Sequence, residues 1–421
     1  MNVRKLALEA IVKIVDKGGY SNIVVNEYLT KYELPKEEKA LFTILVLGTV
    51  EKMITLDYYL EDFLKKKQKP WVINLLRMGI YQLVFLNIPE HAVVNETVEV
   101  ANTKDKFVGK FVNAVFRSFL RAEVKDIEKL EGIEYLSVKY SYPQWLVSYL
   151  LKDYSYNQVI KIFEENEDNK KTSIRVNTLK SSNEEVIKIL EEDGIEYSIS
   201  SLVENGIIVN KSIISHSLFI NGKITVQDIA SQKVSEVINP QHESKILDLC
   251  SAPGGKTMHL ASIMENTGEI YACDIHEHKI KLMKSNFRKL GVNNVKLQLV
   301  DARNIRNYVK KESFDYILAD LPCSGLGVLG HKVDLKYNIN LDSIEEIITL
   351  QEEILETTKD LVKVGGYYVY STCTINKKEN EEQIEKFLLS NDNYEKVEEV
   401  MYLPYEHHTD GFYICKMRRN R

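Results

Sequence analysis

The sequence predicts a multidomain protein in three parts: an all-α helical bundle over residues 1–125, a linking helical and small α+β subdomain over 126–222, and an α/β domain with a mostly parallel sheet over 223–421. Three observations predict it. Apolar residues recur at helical spacing up to about residue 125. The period changes to alternation at Thr172. From Lys245 onward short apolar strands and helices alternate, and the first strand runs into a Gly-rich turn.

Within the first part, Leu6, Ala10 and Ile14, then Leu41, Ile44, Leu45 and Leu47, fall at helical spacing. Trp71 to Leu86 is a strongly apolar helix that begins just after Pro70, a residue suited to a first turn. Pro89 breaks it, Ala92 to Thr103 starts another, and Phe107 to Leu120 is the last, with Asn113 and Arg117 one turn apart on one face. Periodicity alone leaves the polar face of this bundle open: a wet surface, or a surface for RNA or protein.

Residues 126 to about 165 read as helical, with a break at Ser141-Tyr-Pro143. Thr172 to Asn177 alternates as a strand. Ser181 to Glu185 supplies a cap and early acids for a helix that runs to Leu190 and ends at Gly194. Short strands follow at Ile195 to Ile199 and Gly206 to Val209, a pattern of ferredoxin-like type. Gln227-Asp228 precedes a helix to Ile238.

The α/β part opens with the strand Lys245 to Leu249, the turn Asp248-Leu-Cys-Ser-Ala-Pro-Gly-Gly-Lys-Thr257, and a helix to Ile263. Strand, Gly-rich turn and helix form the cofactor-cradling start of a Rossmann-type unit. The turn is not a phosphate-binding P-loop, since Cys250 stands where the first glycine belongs, and it lacks the G-x-G-x-x-G of a dinucleotide site. An adenosyl cofactor without phosphates suits it better. Later strands are expected at Glu269 to Asp274, Val295 to Val300, Tyr316 to Asp320 and Tyr367 to Tyr370, with helices over His278 to Leu290 and Ile344 to Val362. The strands after the first end in Asp274, Asp301, Asp320 and Ser371-Thr-Cys-Thr374 on what should be one edge, where open α/β sheets bind ligands. Asp274 lies about 20 residues beyond the turn, the spacing of an acid that accepts from ribose hydroxyls, and fits NAD or S-adenosylmethionine equally. Asp301 is placed to meet an adenine amino group or line the same pocket.

Composition narrows the class. At 421 residues, 44% hydrophobic and 28% charged, the chain is ordinary globular protein with room for two or three domains. No apolar run reaches the roughly 18 residues of a membrane helix, and the N-terminus opens an amphipathic helix, so a cytoplasmic location is expected. The net charge of −6 is uneven: residues 1–125 carry 19 Lys and Arg against 15 Asp and Glu, which permits a basic face there. The five cysteines, 250, 273, 323, 373 and 415, make no C-x-x-C and no metal spacing, so neither a metal nor a disulfide framework is expected. Cys273 and Cys415 lie inside apolar strands and read as core, and Cys250 as a small residue in the turn. Cys323 and Cys373 follow strand ends, where a thiolate is a competent nucleophile.

These motifs together resemble the RsmB/Sun (Fmu) family of 16S rRNA cytosine-5 methyltransferases. The resemblance rests on Asp320-Leu-Pro-Cys-Ser-Gly325, Ser371-Thr-Cys-Thr374 and the Asp248 turn, and extends to Arg175-Val-Asn177, Gln227-Asp228, Asp301-Ala-Arg303, Lys377 to Asn380 and Asp410-Gly-Phe412. The N-terminal helices resemble the NusB RNA-binding fold through Leu75 to Leu83, Ile88 to Glu96 and Phe111 to Arg117. Gly330-His-Lys-Val-Asp334 departs from the more basic segment that relatives carry. The resemblance implies a class I methyltransferase that uses S-adenosylmethionine on 16S rRNA, with cytosine 967 as the family's target. It implies Cys373 as the nucleophile that adds to cytosine C6, Cys323 as the residue assisting release, and Asp320 as a hydrogen-bonding partner of the base. It implies Cys250, Ser251, Ala252, Pro253, Gly254, Gly255, Lys256, Asp274, Asp301 and Asp320 as cofactor-binding. A monomer is the default expectation. The alternatives are a cytosine-5 methyltransferase for another rRNA or tRNA site, and a non-catalytic RNA-binding assembly factor; intact Cys323, Cys373, Asp320 and Asp274 weigh against the latter.

Overall fold

A computed structural model describes residues 2–168 and 171–421. It divides into two compact units, Met1–Glu164 with Leu329–Ile339, and Glu165–Val328 with Asn340–Arg421.

The first unit is helical, as its periodicity predicts. It comprises α1 (Val3–Val15), α2 (Ser21–Lys31), α3 (Lys36–Glu51), α4 (Met53–Leu60), α5 (Pro70–Phe85), α6 (Glu90–Lys104) and α7 (Lys106–Phe119), followed by helices over Gly132–Tyr140 and Gln144–Leu150. Pro70 occupies the first turn of α5, where its missing N–H is no loss. Leu8, Ile11, Phe42, Leu45, Leu75, Leu76 and Phe116 interlock as the core. Ser141, in a left-handed conformation, stops the helix Gly132–Tyr140 at the expected break. The departing segment Leu329–Ile339 also belongs here: Val333 joins the helical core, Asp334 accepts a hydrogen bond from Ser21, and Tyr337 Oη lies 3.0 Å from Glu51 O and 3.1 Å from Ser141 O.

The second unit holds two sheets. The smaller is antiparallel, built from β1 (Thr172–Val176), β2 (Tyr197–Ile199), β3 (Gly206–Val209) and β4 (Ile224–Val226) in the order β2-β3-β1-β4. The helix Asn183–Glu192, capped by Ser182, buries Val186 and Leu190 against Ile174, Val176 and Ile207. The larger sheet has β5 (Lys245–Asp248), β6 (Glu269–Asp274), β7 (Val295–Leu299), β8 (Phe314–Asp320), β9 (Val362–Thr372), β10 (Tyr394–Tyr402) and β11 (Phe412–Arg419). Their order is β10-β11-β9-β8-β5-β6-β7; the five strands from β5 to β9 are parallel, and β11 returns antiparallel between β9 and β10. The chain order reverses between β5 and β8, the switch point where such sheets bind ligands.

Two expectations change. The helix expected over Ile344 to Val362 runs Leu341–Thr358, and Val362 already begins β9, paired with Phe314. What makes Val362 a strand residue is its parallel partner on β8, a neighbour that a local apolar period does not reveal. Strand β10 and the helix Glu381–Ser390 were not expected. β10 forms the sheet edge with Glu395, Lys396, Glu398 and Glu399 exposed or half-buried, so it lacks a strong apolar signal.

Candidate active site

The turn after β5 is built so that the backbone itself makes a cradle. Gly254 sits at φ +98°, and a Cβ there would meet Phe287 Cε1 at 2.9 Å and Met283 Cγ at 3.2 Å, so only glycine fits. The Ser251 N–H and hydroxyl each reach Cys273 O at 2.8 Å, which locks the turn to the end of β6. Asp248 is buried behind it and accepts from Thr257 Oγ1 at 2.6 Å, while its Oδ1 has no protein partner. Burial, reinforced by the nearby Asp320, pushes the Asp248 carboxyl up to about 7.

Outside the carboxyl ends of β5 to β9 lies a cavity of about 330 Å³. Cys250, Ala252, Asp274, Asp301, Asp320, Cys323 and Cys373 all line it. Asp274 closes the β6 end and accepts the His276 N–H at 2.8 Å. Asp301 is joined to Arg303 at 2.7 Å, and those hydrogen bonds hold its carboxyl below the usual range. Asp320, at the end of β8, receives Lys256 Nζ at 2.7 Å and Ser371 Oγ at 2.9 Å. Burial opposes the Lys256 charge, but Asp320 outweighs it and holds the ammonium above its ordinary range; the Cys373 sulfur acts in the same direction. The ammonium also lies 5.0 Å from the centre of the Phe412 ring.

The two loop cysteines meet. Parallel pairing of Asp320 with Ser371 carries Cys323 and Cys373 to the same spot, with Sγ–Sγ 3.3 Å. Hydrogen bonding to Cys373, then burial, then the charges of Cys373 and Glu379 keep the Cys323 thiol well above its ordinary range, so Cys323 stays protonated at neutral pH. Cys273 and Cys415 are buried in strands, each thiol pushed up to about 12 mainly by burial. Of the remaining turn residues, Ser251, Pro253, Gly254 and Gly255 shape the cradle without lining the cavity, and Lys256 reaches it through Asp320.

Residues that the sequence left without a role turn out to hold this arrangement. Glu379 is fully buried and accepts the Ser324 N–H at 2.7 Å, the Ser324 hydroxyl, and Asn376 Nδ2 at 2.8 Å. Ser324 Oγ lies 2.7 Å from Thr374 Oγ1, so Glu379 ties the loop after Cys323 to the loop after Cys373. Arg175 is buried without a carboxylate, donating to Gln227 and, at 2.8 Å, to Gly255 O at the start of the helix after the turn. Burial pulls its guanidinium down to about 9. Asn177 Nδ2 bridges Gly222 O (2.7 Å) and Leu290 O (2.9 Å). Asp228 caps the helix Ile229–Ile238 and accepts Thr409 Oγ1 and the Asp410 N–H, fixing the segment that delivers Phe412. Gly411 must be glycine, since a Cβ there would meet Ile375 Cγ2 at 2.5 Å and Gly327 Cα at 2.8 Å. Only the quoted motifs could have pointed to these residues.

An adenosyl cofactor fits the site: the cradle leaves its backbone open, Asp248 Oδ1 is a buried acceptor without a partner, and Asp274 faces the cavity. Among the described residues no cluster of three or more His, Cys, Asp or Glu could hold a metal ion, and no helix is long and apolar enough to cross a membrane.

Comparison with known proteins agrees with this geometry. The family described as 16S rRNA methyltransferase RsmB/F matches residues 235–418, the NusB family matches 1–121, and the RsmF/B-like ferredoxin-like domain matches 142–215. The chain is 36% identical to the Bacillus subtilis (strain 168) protein named probable ribosomal RNA small subunit methyltransferase B, over 99% of each chain. It is 31% identical to ribosomal RNA small subunit methyltransferase B of Proteus mirabilis (strain HI4320), again over 99% of each. Its fold is similar to the crystal structure of PH0851, with a TM-score of 0.87 and 27% identity, covering 100% of this chain and 99% of that one. A methyltransferase homologue from Pyrococcus horikoshii matches 67% of this chain and 97% of its own, with a TM-score of 0.60 and 29% identity.

Proposed function

The chain belongs to the RsmB/F family of 16S rRNA methyltransferases, and we propose that it transfers a methyl group from S-adenosylmethionine to C5 of a cytosine in 16S rRNA, the family's cytosine 967, through a covalent adduct on Cys373. The observation that carries this reading is the approach of Cys323 and Cys373, 3.3 Å apart beside Asp320 in the cavity that Asp274 closes. Residues 1–125 serve as the RNA-binding helical domain, 126–222 as the linking subdomain and 223–421 as the catalytic domain. The protein acts as a cytoplasmic monomer.

Cytosine C5 is too weak a nucleophile to attack a sulfonium methyl unaided. Cys373 as thiolate adds to C6, the C5–C6 π pair becomes enamine-like, and C5 can then form the new carbon–carbon bond. Bound S-adenosylmethionine would supply the electrophilic methyl, its methyl–sulfur bond breaking as the carbon–carbon bond forms and S-adenosylhomocysteine leaving. Cys250 to Lys256 would hold it with Asp274 and Asp301: Asp274 accepts from ribose hydroxyls, and Asp301 meets the adenine amino group. Asp320, which accepts from Lys256 Nζ at 2.7 Å, hydrogen-bonds the base and favours a proton at N3, which stabilises the charge developed by addition. The Lys256 ammonium favours the thiolate form of Cys373. Loss of the C5 proton to water then drives elimination: its bonding pair becomes the C5–C6 double bond, the C6–S bond breaks and that electron pair returns to Cys373. Cys323, held protonated 3.3 Å away, donates a hydrogen bond to that departing sulfur. A base reaches this cavity only when unstacked, so a loop or junction of the RNA is the substrate.

The test uses Cys323→Ala with S-adenosylmethionine and unmethylated 16S rRNA on a denaturing gel. A protein–RNA adduct is expected, lost when Cys373 is also replaced, and its crosslink names the nucleotide. If wild type methylates a tRNA or a different rRNA site, the target is wrong; if it methylates no RNA, the catalytic reading is.

A further inference from the structure

We propose that the outward face of α7, together with the α5 N-terminus and the lysine loop before it, is the surface on which this protein docks the RNA backbone. The inference rests on the reading of the substrate as RNA and names where in the helical unit that RNA is held.

α7 carries no acidic residue. Its buried stripe is Gly109, Val112, Val115, Phe116 and Phe119, and its exposed stripe is Lys106, Phe107, Lys110, Ala114 and Arg117. Arg121 continues that stripe just past the helix end, its Nε held 2.9 Å from Arg117 O. Lys106 and Arg117 are eleven residues apart, about 17 Å along the axis at 1.5 Å per residue. The acid that precedes α7, Asp105, is turned onto the helix start, accepting the Phe107 N–H at 2.8 Å. It therefore caps α7 rather than answering its lysines.

The corner continues onto a second element. Lys104, at the end of α6, lies 5.0 Å from the centre of the Trp71 ring in the first turn of α5. Just before that turn stand Lys65, Lys66, Lys67 and Lys69, all exposed. Lys66 and Lys67 border a hollow of about 490 Å³ that Gln68, Asn74, Arg77 and Asp16 also line; Arg77 there is paired with Asp57 at 2.6 Å, and Asp16 accepts from Asn74 Nδ2 at 3.2 Å. The acids nearest this loop in the chain, Glu61 and Asp62, are paired with Lys125 at 3.4 and 3.1 Å. Among the described residues none of Lys65, Lys66, Lys67, Lys69, Lys104, Lys106, Lys110, Arg117 or Arg121 is paired with a carboxylate. A chain of net charge −6 thus keeps nine unanswered cations around one corner.

A solvated helix face normally mixes both signs, and this one does not. It also exposes an aromatic ring: Phe107 is 82% accessible, with Lys110 Nζ 5.9 Å from its centre. Cations along a helix beside an open ring match a phosphodiester backbone with an unpaired base: the cations displace counterions, and the ring stacks on the base.

The test is filter binding of unmethylated 16S rRNA across a salt series, with methyl transfer assayed on the same samples. Lys106→Gln, Lys110→Gln and Arg117→Gln are combined; all three sites are exposed, so thermal melting should match wild type. Each lost phosphate contact lowers the slope of log affinity against log salt by about 0.7–0.9, so the triple variant should lose about 2–3 in slope and bind about tenfold more weakly or worse. Its kcat at saturating RNA should be unchanged. Phe107→Ala should weaken binding with the slope intact. Wild-type slope and affinity in the triple variant would overturn the docking face and leave it to a protein partner, even where the enzyme methylates normally. If wild type binds 16S rRNA with this slope yet methylates nothing, the docking face stands and the catalytic reading fails.

Discussion

Glu379→Gln tests whether one buried carboxylate holds the two cysteine loops together. In wild type each carboxylate oxygen has two donors: Oε2 receives the Ser324 N–H at 2.7 Å and Gln351 Nε2 at 3.3 Å, and Oε1 receives the Ser324 hydroxyl and Asn376 Nδ2 at 2.8 Å. Glutamine has the same shape but one oxygen and one NH2. With its oxygen toward Ser324 N–H, its NH2 points at Asn376 Nδ2; turned over, it points at the Ser324 N–H. Either way two donors face each other in a site closed to water. One unsatisfied buried donor costs about 1–3 kcal/mol, which should lower Tm by several degrees at about 2–4 °C per kcal/mol. The kinetic effect should be larger. Ser324 adjoins Cys323, and Thr374 adjoins Cys373, so relaxation of this tie moves one sulfur relative to the other. A misplacement near 1 Å costs about a hundredfold in rate, so kcat should fall between about tenfold and a hundredfold. S-adenosylmethionine affinity, measured by calorimetry, should stay within about twofold, because Glu379 touches neither the Gly254 turn nor Asp274. A folded variant with unchanged kcat would refute the argument. So would an unchanged Tm, which would mean that the side chain is protonated and already behaves as an amide.

Cys373→Ala should abolish methyl transfer while S-adenosylmethionine still binds; residual turnover above the level of no enzyme would remove it as nucleophile. Asp274→Ala should weaken S-adenosylmethionine at least about tenfold by calorimetry, since a bidentate carboxylate to two hydroxyls is worth more than about 1.4 kcal/mol; equal affinity would put the ribose elsewhere. Asp248 should make stability pH-dependent in a defined direction. Its carboxyl is pushed up to about 7, against about 3.9 unfolded. Between those values the folded chain keeps a proton that the unfolded chain has lost, so stability falls as pH rises from about 4 to about 7 and is level above. The full loss is at most about 4 kcal/mol, and Asp248→Asn should remove it, so urea midpoints at pH 5 and pH 8 should differ less in the variant than in wild type. Parallel pH dependence in both proteins would show that Asp248 does not carry the proton.

Much of this structure could be read from sequence because the relevant signals are local. A 3.6-residue apolar period is complete within one helix, so α1, α3, α5, α6 and α7 are legible before their partners are known, whereas α2 and α4 were not read. The Gly254 turn and the acids at the ends of β6 and β8 are likewise written in consecutive residues. What could not be read depends on which strands become neighbours. Cys323 stands three residues past the end of β8 and Cys373 one past the end of β9, but their approach requires β8 beside β9 with Asp320 opposite Ser371. Strand adjacency is a property of the sheet, and no single stretch encodes it.

The buried charges are the harder case, and they show why the site's supports escape a sequence reading. Glu379 and Arg175 are charged residue types, and such residues belong on the surface unless something holds them inside. Arg175 alone would be costly: it sits in the core with no carboxylate and its Nε unpartnered. The arrangement persists because Nη1 donates to Gly255 O, in the first residue of the helix that follows the turn, and to Gln227 Oε1 as well. Composition cannot reveal this, since both residues count there as ordinary charge. Replacing Arg175 by an apolar residue of similar size would relieve the desolvation, yet it would release Gly255 O and the Gln227 side chain together. The buried guanidinium is therefore better understood as a fixture of the turn than as a source of stability, and its placement follows from the turn's need for a long donor that no apolar side chain can supply.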